Sequence, residues 1–148
     1  MSNRRAAIAM TSDEVTAFLE AERVVTVATL GRDGWPHLMP LWYVVRDGEL
    51  WAWTYAKSQK VRNLERDARC TLQVEAGGEY TQLRGVMLAC EAVIHRDLAT
   101  VAGVGGDIAG RYGLPVEAMR AQAPKRVGLQ FAERRRATWD HRKLGGTY

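Results

Sequence analysis

Val15, Phe18 and Leu19 recur at the spacing of one helix face. They follow Ser12-Asp13-Glu14, where a hydroxyl side chain can cap a helix and the acids suit its first turn. The pattern predicts a helix ending near Ala21. From Val24 to Leu30 (VVTVATL) β-branched residues dominate, which predicts a strand. Gly31-Arg32-Asp33-Gly34 makes a turn, and a second strand is expected from His37 to Val45. Pro36 can stand at its start, while Pro40 inside it implies an edge, a bulge or an interruption. Asp47-Gly48 suits a turn with positive φ at both central residues, so Glu49 to Tyr55 should return antiparallel. Ser58 to Arg66 reads as a short helix with Val61 and Leu64 inward. Arg69 to Glu75 sets Cys70, Leu72 and Val74 against Arg69, Thr71 and Gln73. After Gly77-Gly78 a long strand is expected from Leu83 to His95. Asp97 caps a helix running to about Tyr112, with Gly113 as its stop, and a shorter helix follows Pro115. Lys125 to Ala132 alternates again, with Val127, Leu129 and Phe131 on one face, and Arg135 to Asp140 forms a final strand.

Six or seven strands in mostly hairpin order, with a few short helices, predict an α+β fold dominated by antiparallel β structure. The expected form is a barrel with helices packed outside. The chain shows no internal repeat, low-complexity segment or linker, so residues 1–148 are expected to form one domain. Residues 1–11 are expected to be a flexible N-terminus. Several strands are apolar on both faces, and the 42–55 hairpin carries Trp42, Trp51 and Trp53. One face can fill the barrel. The other must meet a helix, a ligand or a second chain, and a homodimer is the expected outcome.

Composition narrows the function. Of 148 residues, 47% are apolar and 26% charged, which suits a globular protein and excludes disorder. The net charge of +4 suits an anionic ligand but is too small and scattered to demand nucleic acid. Cys70 and Cys90 sit in apolar alternating runs and read as core residues. No Cys/His spacing resembles a metal site. The N-terminus lacks the apolar run of a signal peptide, and no stretch approaches the ~18 apolar residues of a membrane span. A cytoplasmic protein without membrane, metal or nucleic-acid partners is the expectation. Gly103-Val104-Gly105-Gly106-Asp107 hints at a dinucleotide loop, but Ile108 stands where the third glycine belongs, and the stretch reads as helix.

The stretch from Tyr55 to Arg66 holds the candidate chemistry. If Ser58 caps the helix, the free N–H groups of the first turn and the positive helix end are oriented for an anion. Lys57 precedes the cap and Lys60 lies in the first turn, so both can reach the same point. Arg62 and Arg66 lie on a more outward face. These residues form either a phosphate site or a solvated basic face.

Three segments together resemble the split β-barrel flavin and deazaflavin oxidoreductases, the pyridoxamine-phosphate-oxidase-like superfamily. They are Val27-Ala28-Thr29-Leu30 through Asp33-Gly34-Trp35-Pro36; Lys60-Val61-Arg62-Asn63-Leu64 through Asp67; and Arg136-Ala137-Thr138-Trp139-Asp140-His141-Arg142-Lys143-Leu144. The last is similar to the actinobacterial branch that uses the deazaflavin coenzyme F420. The resemblance implies a homodimer with cofactor sites at the subunit interface. It places the cofactor phosphate on Ser58 and Lys60, with Lys57 as an added cation and Arg62 and Asn63 in the same segment. It lays the flavin ring along Met39, Pro40, Leu41, Thr54 and Tyr55. True pyridoxamine phosphate oxidases carry a phosphate-binding arginine on the second strand where Met39 stands, so F420 is the first cofactor expected and FMN the alternative. The implied reaction is hydride transfer from reduced coenzyme to an enone, lactone, quinone or tetrapyrrole. No catalytic side chain is identified. His37, Tyr55 and His141 are candidate proton donors, and Trp139 and His37 are candidate substrate-pocket residues. Arg134, Arg135 and Arg136, with Arg142 and Lys143, are candidates to meet the oligoglutamate tail of F420. A non-catalytic flavin- or F420-binding protein is the remaining alternative.

Overall fold

The computed structural model describes residues 3–146. Asn3 caps a single helical turn, α1 (Arg4–Ala7), and Thr11 caps α2 (Ser12–Ala21). The cap of α2 therefore lies one residue before the serine that the sequence suggests. The Thr11 hydroxyl accepts from the Glu14 N–H, and the Glu14 carboxylate accepts from the Thr11 N–H, a reciprocal capping box. Within the segment expected to be a flexible terminus, residues 3–11 carry α1 and the cap of α2, residues 1 and 2 lying outside the described residues. The Met10 N–H donates to Thr138 Oγ1 at 2.9 Å, and the Asp140 N–H donates to the Ile8 carbonyl at 2.7 Å.

Seven strands follow: β1 (Val24–Leu30), β2 (Pro36–Trp42), β3 (Val44–Arg46), β4 (Glu49–Tyr55), β5 (Arg69–Ala76), β6 (Arg84–His95) and β7 (Arg126–Asp140). They form one antiparallel sheet in the order β2-β1-β5-β6-β7-β4-β3. The expected second strand is interrupted at Tyr43. Its two parts become opposite edges of the sheet, which curls so that one covalent stretch supplies both. Pro40 thus stands on an edge, where its missing N–H costs no ladder bond. The Asp47-Gly48 turn has φ of 51° and 78°, as a tight hairpin requires. The two strands expected between Lys125 and Asp140 are one. A register shift at Ala89/Cys90 of β6, opposite Arg134, carries β7 through its polar middle.

Val25, Val27, Leu50, Ala52, Leu72, Val74, Val86, Leu129 and Phe131 fill the concave side, closed by Val15, Phe18 and Leu19 of α2. The third helix, α3 (Gln59–Arg66), adds Val61 and Leu64. Cys70 and Cys90 face each other across β5 and β6 as free thiols, and burial pushes both up to about 12. On the convex side, α4 (Leu98–Tyr112) and α5 (Val116–Arg120) cover β3 and β4. Val101, Val104 and Ile108 pack on Val44 and Trp53. Gly105 permits this: a Cβ there would lie 2.4 Å from the Trp53 ring. Gly113, at φ 71°, ends α4 as expected. No helix among the described residues is long and apolar enough to cross a membrane.

One convex region stays uncovered. Val24, Leu30, Leu38 and Trp42 of β1 and β2 are exposed, beside Pro36 and Pro40.

Candidate functional site

Strand β4 ends at Tyr55, and the chain turns through Ala56 and Lys57 into α3. The Ser58 N–H donates to the Tyr55 carbonyl at 3.0 Å, and the Ala56 N–H donates to Lys125 at 2.9 Å. These bonds fix the start of α3 against the start of β7. Ser58 occupies the cap position with extended backbone, yet its side chain makes no capping bond. Its Oγ is buried and has no partner. The hydroxyl therefore has unused hydrogen-bonding capacity at the helix entrance, where first-turn N–H groups lack intrahelical acceptors.

Lys60 is buried, and its ammonium donates to Thr54 Oγ1 at 3.0 Å. Burial holds its pKa below the ordinary lysine range, and the nearby Arg126 guanidinium adds to the depression. Arg126, which sequence reasoning did not single out, opens β7 opposite Tyr55. Its guanidinium lies 4.1 Å from the Tyr55 ring centroid and 4.7 Å from that of Trp53. One terminal nitrogen donates to Gln122 Oε1 at 2.8 Å, while Nε is buried without a partner. Burial lowers its pKa as well. Both cations are partly desolvated, and neither is ion-paired to a carboxylate among the described residues. Desolvated charge is costly unless compensated.

Three buried side-chain polar atoms among the described residues lack a partner: Ser58 Oγ, Arg126 Nε and His37 Nδ1. All three border the seam between β2 and the β4–α3 corner. Arg126 and Ser58 both adjoin Tyr55. His37, on β2 opposite Thr29, shares a pocket with Gln59, Asn63 and Trp35. Further along the seam, Pro40, Leu41, Trp42, Trp53, Leu114 and Met119 line an apolar groove that ends at Gln122 and Arg126.

The structure brings together Ser58, Lys60, Thr54 and Tyr55, with Pro40 and Leu41 in the adjoining groove. Lys57 is exposed beside the entrance, and Met39 is exposed on the edge strand. Asn63 is fully buried and braces the helix instead. Its amide donates to Thr29 Oγ1 at 3.0 Å, and its carbonyl accepts from Gln59 at 2.8 Å. Arg62 points away from the seam, into a second groove with Arg32 and Arg66. Trp139 packs over Gly85 at the far end of β7. His141 lies near it, with Nδ1 2.9 Å from the Tyr80 carbonyl. Of the C-terminal cations, Arg134 pairs with Glu91, Arg136 with Glu133, Arg142 with Asp140 and Lys143 with Glu14. Arg135 lines a convex groove with Ala28, Thr71 and Ala89. Arg126 falls inside the alternating run from Lys125 to Ala132, but its neighbour Tyr55 is set by long-range pairing that the sequence does not show.

Comparison with known proteins agrees with this architecture. The family model of pyridoxamine 5'-phosphate oxidase matches residues 11–140. No curated protein matches the chain. The crystal structure of conserved hypothetical protein Rv2991 from Mycobacterium tuberculosis is 40% identical, with a TM-score of 0.91 over 99% of this chain and 95% of that one. An F420 reductase superposes with a TM-score of 0.69 at 20% identity, over 86% of this chain and 98% of that one. HutZ, the heme storage protein of Vibrio cholerae, superposes with a TM-score of 0.71 at 13% identity, over 87% and 93%. The last two likenesses are of fold. With its sheet order, its seam and its matched length, the chain belongs to the pyridoxamine 5'-phosphate oxidase family, in the split-barrel superfamily of flavin and deazaflavin oxidoreductases.

Proposed function

We propose that this protein is an F420-dependent reductase that works as a homodimer and transfers hydride to an electron-poor conjugated small molecule. The observation that carries the reading is the unneutralised pair Lys60 and Arg126 beside the unpartnered Ser58 hydroxyl. These groups, the first-turn N–H donors of α3 and Lys57 suit a cofactor phosphate. Met39, where true pyridoxamine phosphate oxidases carry a phosphate-binding arginine, favours the deazaflavin over FMN.

When bound, the reduced deazaflavin supplies the hydride. The chain's own residues hold and orient. Lys60, Ser58 and Arg126 grip the phosphate end. Pro40, Leu41 and Trp53 offer an apolar bed that excludes water from the ring. Tyr55 extends the bed while its ring supports the Arg126 guanidinium. His37 presents an unpartnered Nδ1 at the seam and can hold a proton or a hydrogen bond there. The exposed apolar strip of β1 and β2 adjoins the seam and suits a second copy of the chain, whose body would close the open side.

Titration of F420 by fluorescence quenching, and of FMN by absorbance, tests the reading on wild type and Lys60→Ala. Micromolar F420 binding that is lost in the variant supports it. Tight FMN binding with no F420 binding refutes it. Tight F420 binding without oxidation of the reduced coenzyme by any quinone, enone or tetrapyrrole would reduce the function to storage.

A further inference from the structure

The apolar groove that ends at Arg126 is lined by segments distant in sequence. Pro40, Leu41 and Trp42 come from β2, and Leu114, Met119 and Gln122 come from the corner that joins α4, α5 and β7. Gly113 stops α4 in the left-handed region, and the Leu114 N–H donates back to the Ala109 carbonyl at 2.9 Å. The Tyr112 ring stacks on Trp42 with centroids 4.4 Å apart, which ties the start of the corner to β2. At its other end Ala123 is buried in the cluster that holds Val104 and Ile108 of α4. The Gln122 backbone is pinned between these anchors. Its N–H donates to the Met119 carbonyl at 3.0 Å, and its carbonyl accepts from the Lys125 N–H at 3.1 Å.

The Gln122 side chain is oriented as well. One terminal nitrogen of Arg126 donates to Gln122 Oε1 at 2.8 Å. A guanidinium has donors only, so the amide oxygen faces it and the amide nitrogen faces away. That nitrogen donates to none of the described residues. The Arg126 charge draws electron density from the amide carbonyl, and this strengthens the N–H donors on the far side. The residues lining the groove include no carboxylate. A charge-assisted donor in an apolar, acid-free groove suits a neutral carbonyl oxygen, and suits it better as that oxygen turns negative.

We propose that Gln122 is a catalytic residue that binds the carbonyl oxygen of the hydride acceptor, so that the α4–α5 corner selects flat, uncharged, conjugated carbonyl compounds. The proposal rests on the reductase reading above and adds how the acceptor is recognised. The acceptor gains a hydride at its β-carbon from the reduced coenzyme, which is left oxidised. The C=C electron pair moves to the carbonyl oxygen, where the Gln122 N–H holds the enolate. A solvent proton then adds at the α-carbon and restores the carbonyl. Arg126 positions Gln122 through one nitrogen and leaves its unpartnered Nε to the phosphate end.

The test uses benzylideneacetone, a flat enone, on the full chain loaded with F420. Isotope-edited infrared spectroscopy should show the enone carbonyl stretch moved to lower wavenumber when bound to wild type. Gln122→Glu keeps an oxygen for Arg126 but lacks the amide N–H, and Gln122→Met lacks both. Each variant, with folding checked by circular dichroism, should lose the shift and bind the enone roughly 10-fold more weakly. With reduced F420, kcat should fall by about 100-fold, more than KM rises. A merely structural Gln122 would leave the carbonyl stretch where it is in wild type. An undiminished shift in both variants, or no enone binding by F420-loaded wild type, overturns this proposal and leaves the cofactor reading standing. Failure of wild type to bind F420 overturns both.

Discussion

The Lys60 ammonium donates to Thr54 Oγ1 at 3.0 Å, and that hydroxyl is its one hydrogen-bond partner among the described residues. A neutral hydroxyl compensates a desolvated charge poorly. The site thus retains a stability cost, which on the proposed reading a ligand phosphate would relieve.

Replacing Lys60 with methionine keeps the apolar stem and removes the charge. The expected outcome is a free protein more stable by about 1–2 kcal/mol in urea unfolding, together with F420 affinity weakened at least ~10-fold. A variant that loses stability while binding normally would show that the lysine is structural.

The depressed Lys60 pKa gives a pH signature. An unfolded lysine holds its proton to about pH 10.4, and the folded one releases it earlier. Between the folded value and the unfolded one, the unfolded state binds more protons, so stability from this group rises with pH across that window. Phosphate binding has the opposite slope: affinity is flat below the folded Lys60 pKa and falls above it. A phosphodiester adds no titration near neutrality, whereas a monoester such as FMN, whose second pKa is ≈ 6, should also weaken in mild acid. Isothermal titration across pH reads both slopes.

Arg111 ties the end of α2 to the β2–β3 junction. Its guanidinium donates to the carbonyls of Leu19 (3.0 Å), Glu20 (3.1 Å), Glu22 (2.5 Å) and Tyr43 (3.2 Å). It also lies 4.5 Å from the Tyr43 ring centroid. Arg111→Ala should cost about 2–3 kcal/mol, measured by urea denaturation. Arg62→Ala, on the exposed face of α3, should cost under about 0.5 kcal/mol.

Gly105→Ala forces the Trp53 ring to move, because the new methyl would stand 2.4 Å from it. Trp53 in turn supports Arg126. The variant should lose about 1–3 kcal/mol of stability and also weaken F420 binding. Gly110→Ala, where a Cβ meets nothing within 4 Å, serves as the control.

Leu38 is 58% exposed in the middle of the apolar strip on β2. If that strip joins two copies, Leu38→Glu should yield monomers in light scattering and reduce F420 affinity in parallel. A Leu38→Glu protein that remains dimeric would place the interface elsewhere.

Elements with strong local signals were legible in the sequence. β1 matches its β-branched run, β4 follows its Asp-Gly turn, and α4 runs from the Asp97 cap to Gly113 as read. The continuity of β7 was hidden because its middle, Ala132 to Arg136, is polar: the ladder to β6 continues past the extra residue Arg134 whatever the side chains are. The break at Tyr43 was hidden because its side chain is as apolar as its neighbours. There the buried hydroxyl donates to the Leu19 carbonyl at 2.6 Å, a partner some twenty residues away. The places of Ser58 and Lys60 at the start of α3 were legible from helix position. Arg126 was not, since only the β4–β7 pairing brings it to Tyr55.

The one-residue join at Tyr43 has a mechanical consequence. β2 and β3 belong to a single short run of backbone, and Tyr43 between them is anchored by Tyr112 and Arg111 as well as by α2. Such a cleft is not free to gape like a jaw. On the proposed reading, a flat guest would meet a cleft whose β2 bank is held at Tyr43, and any tightening around it would fall to exposed side chains such as Tyr55, Trp42 and Met39.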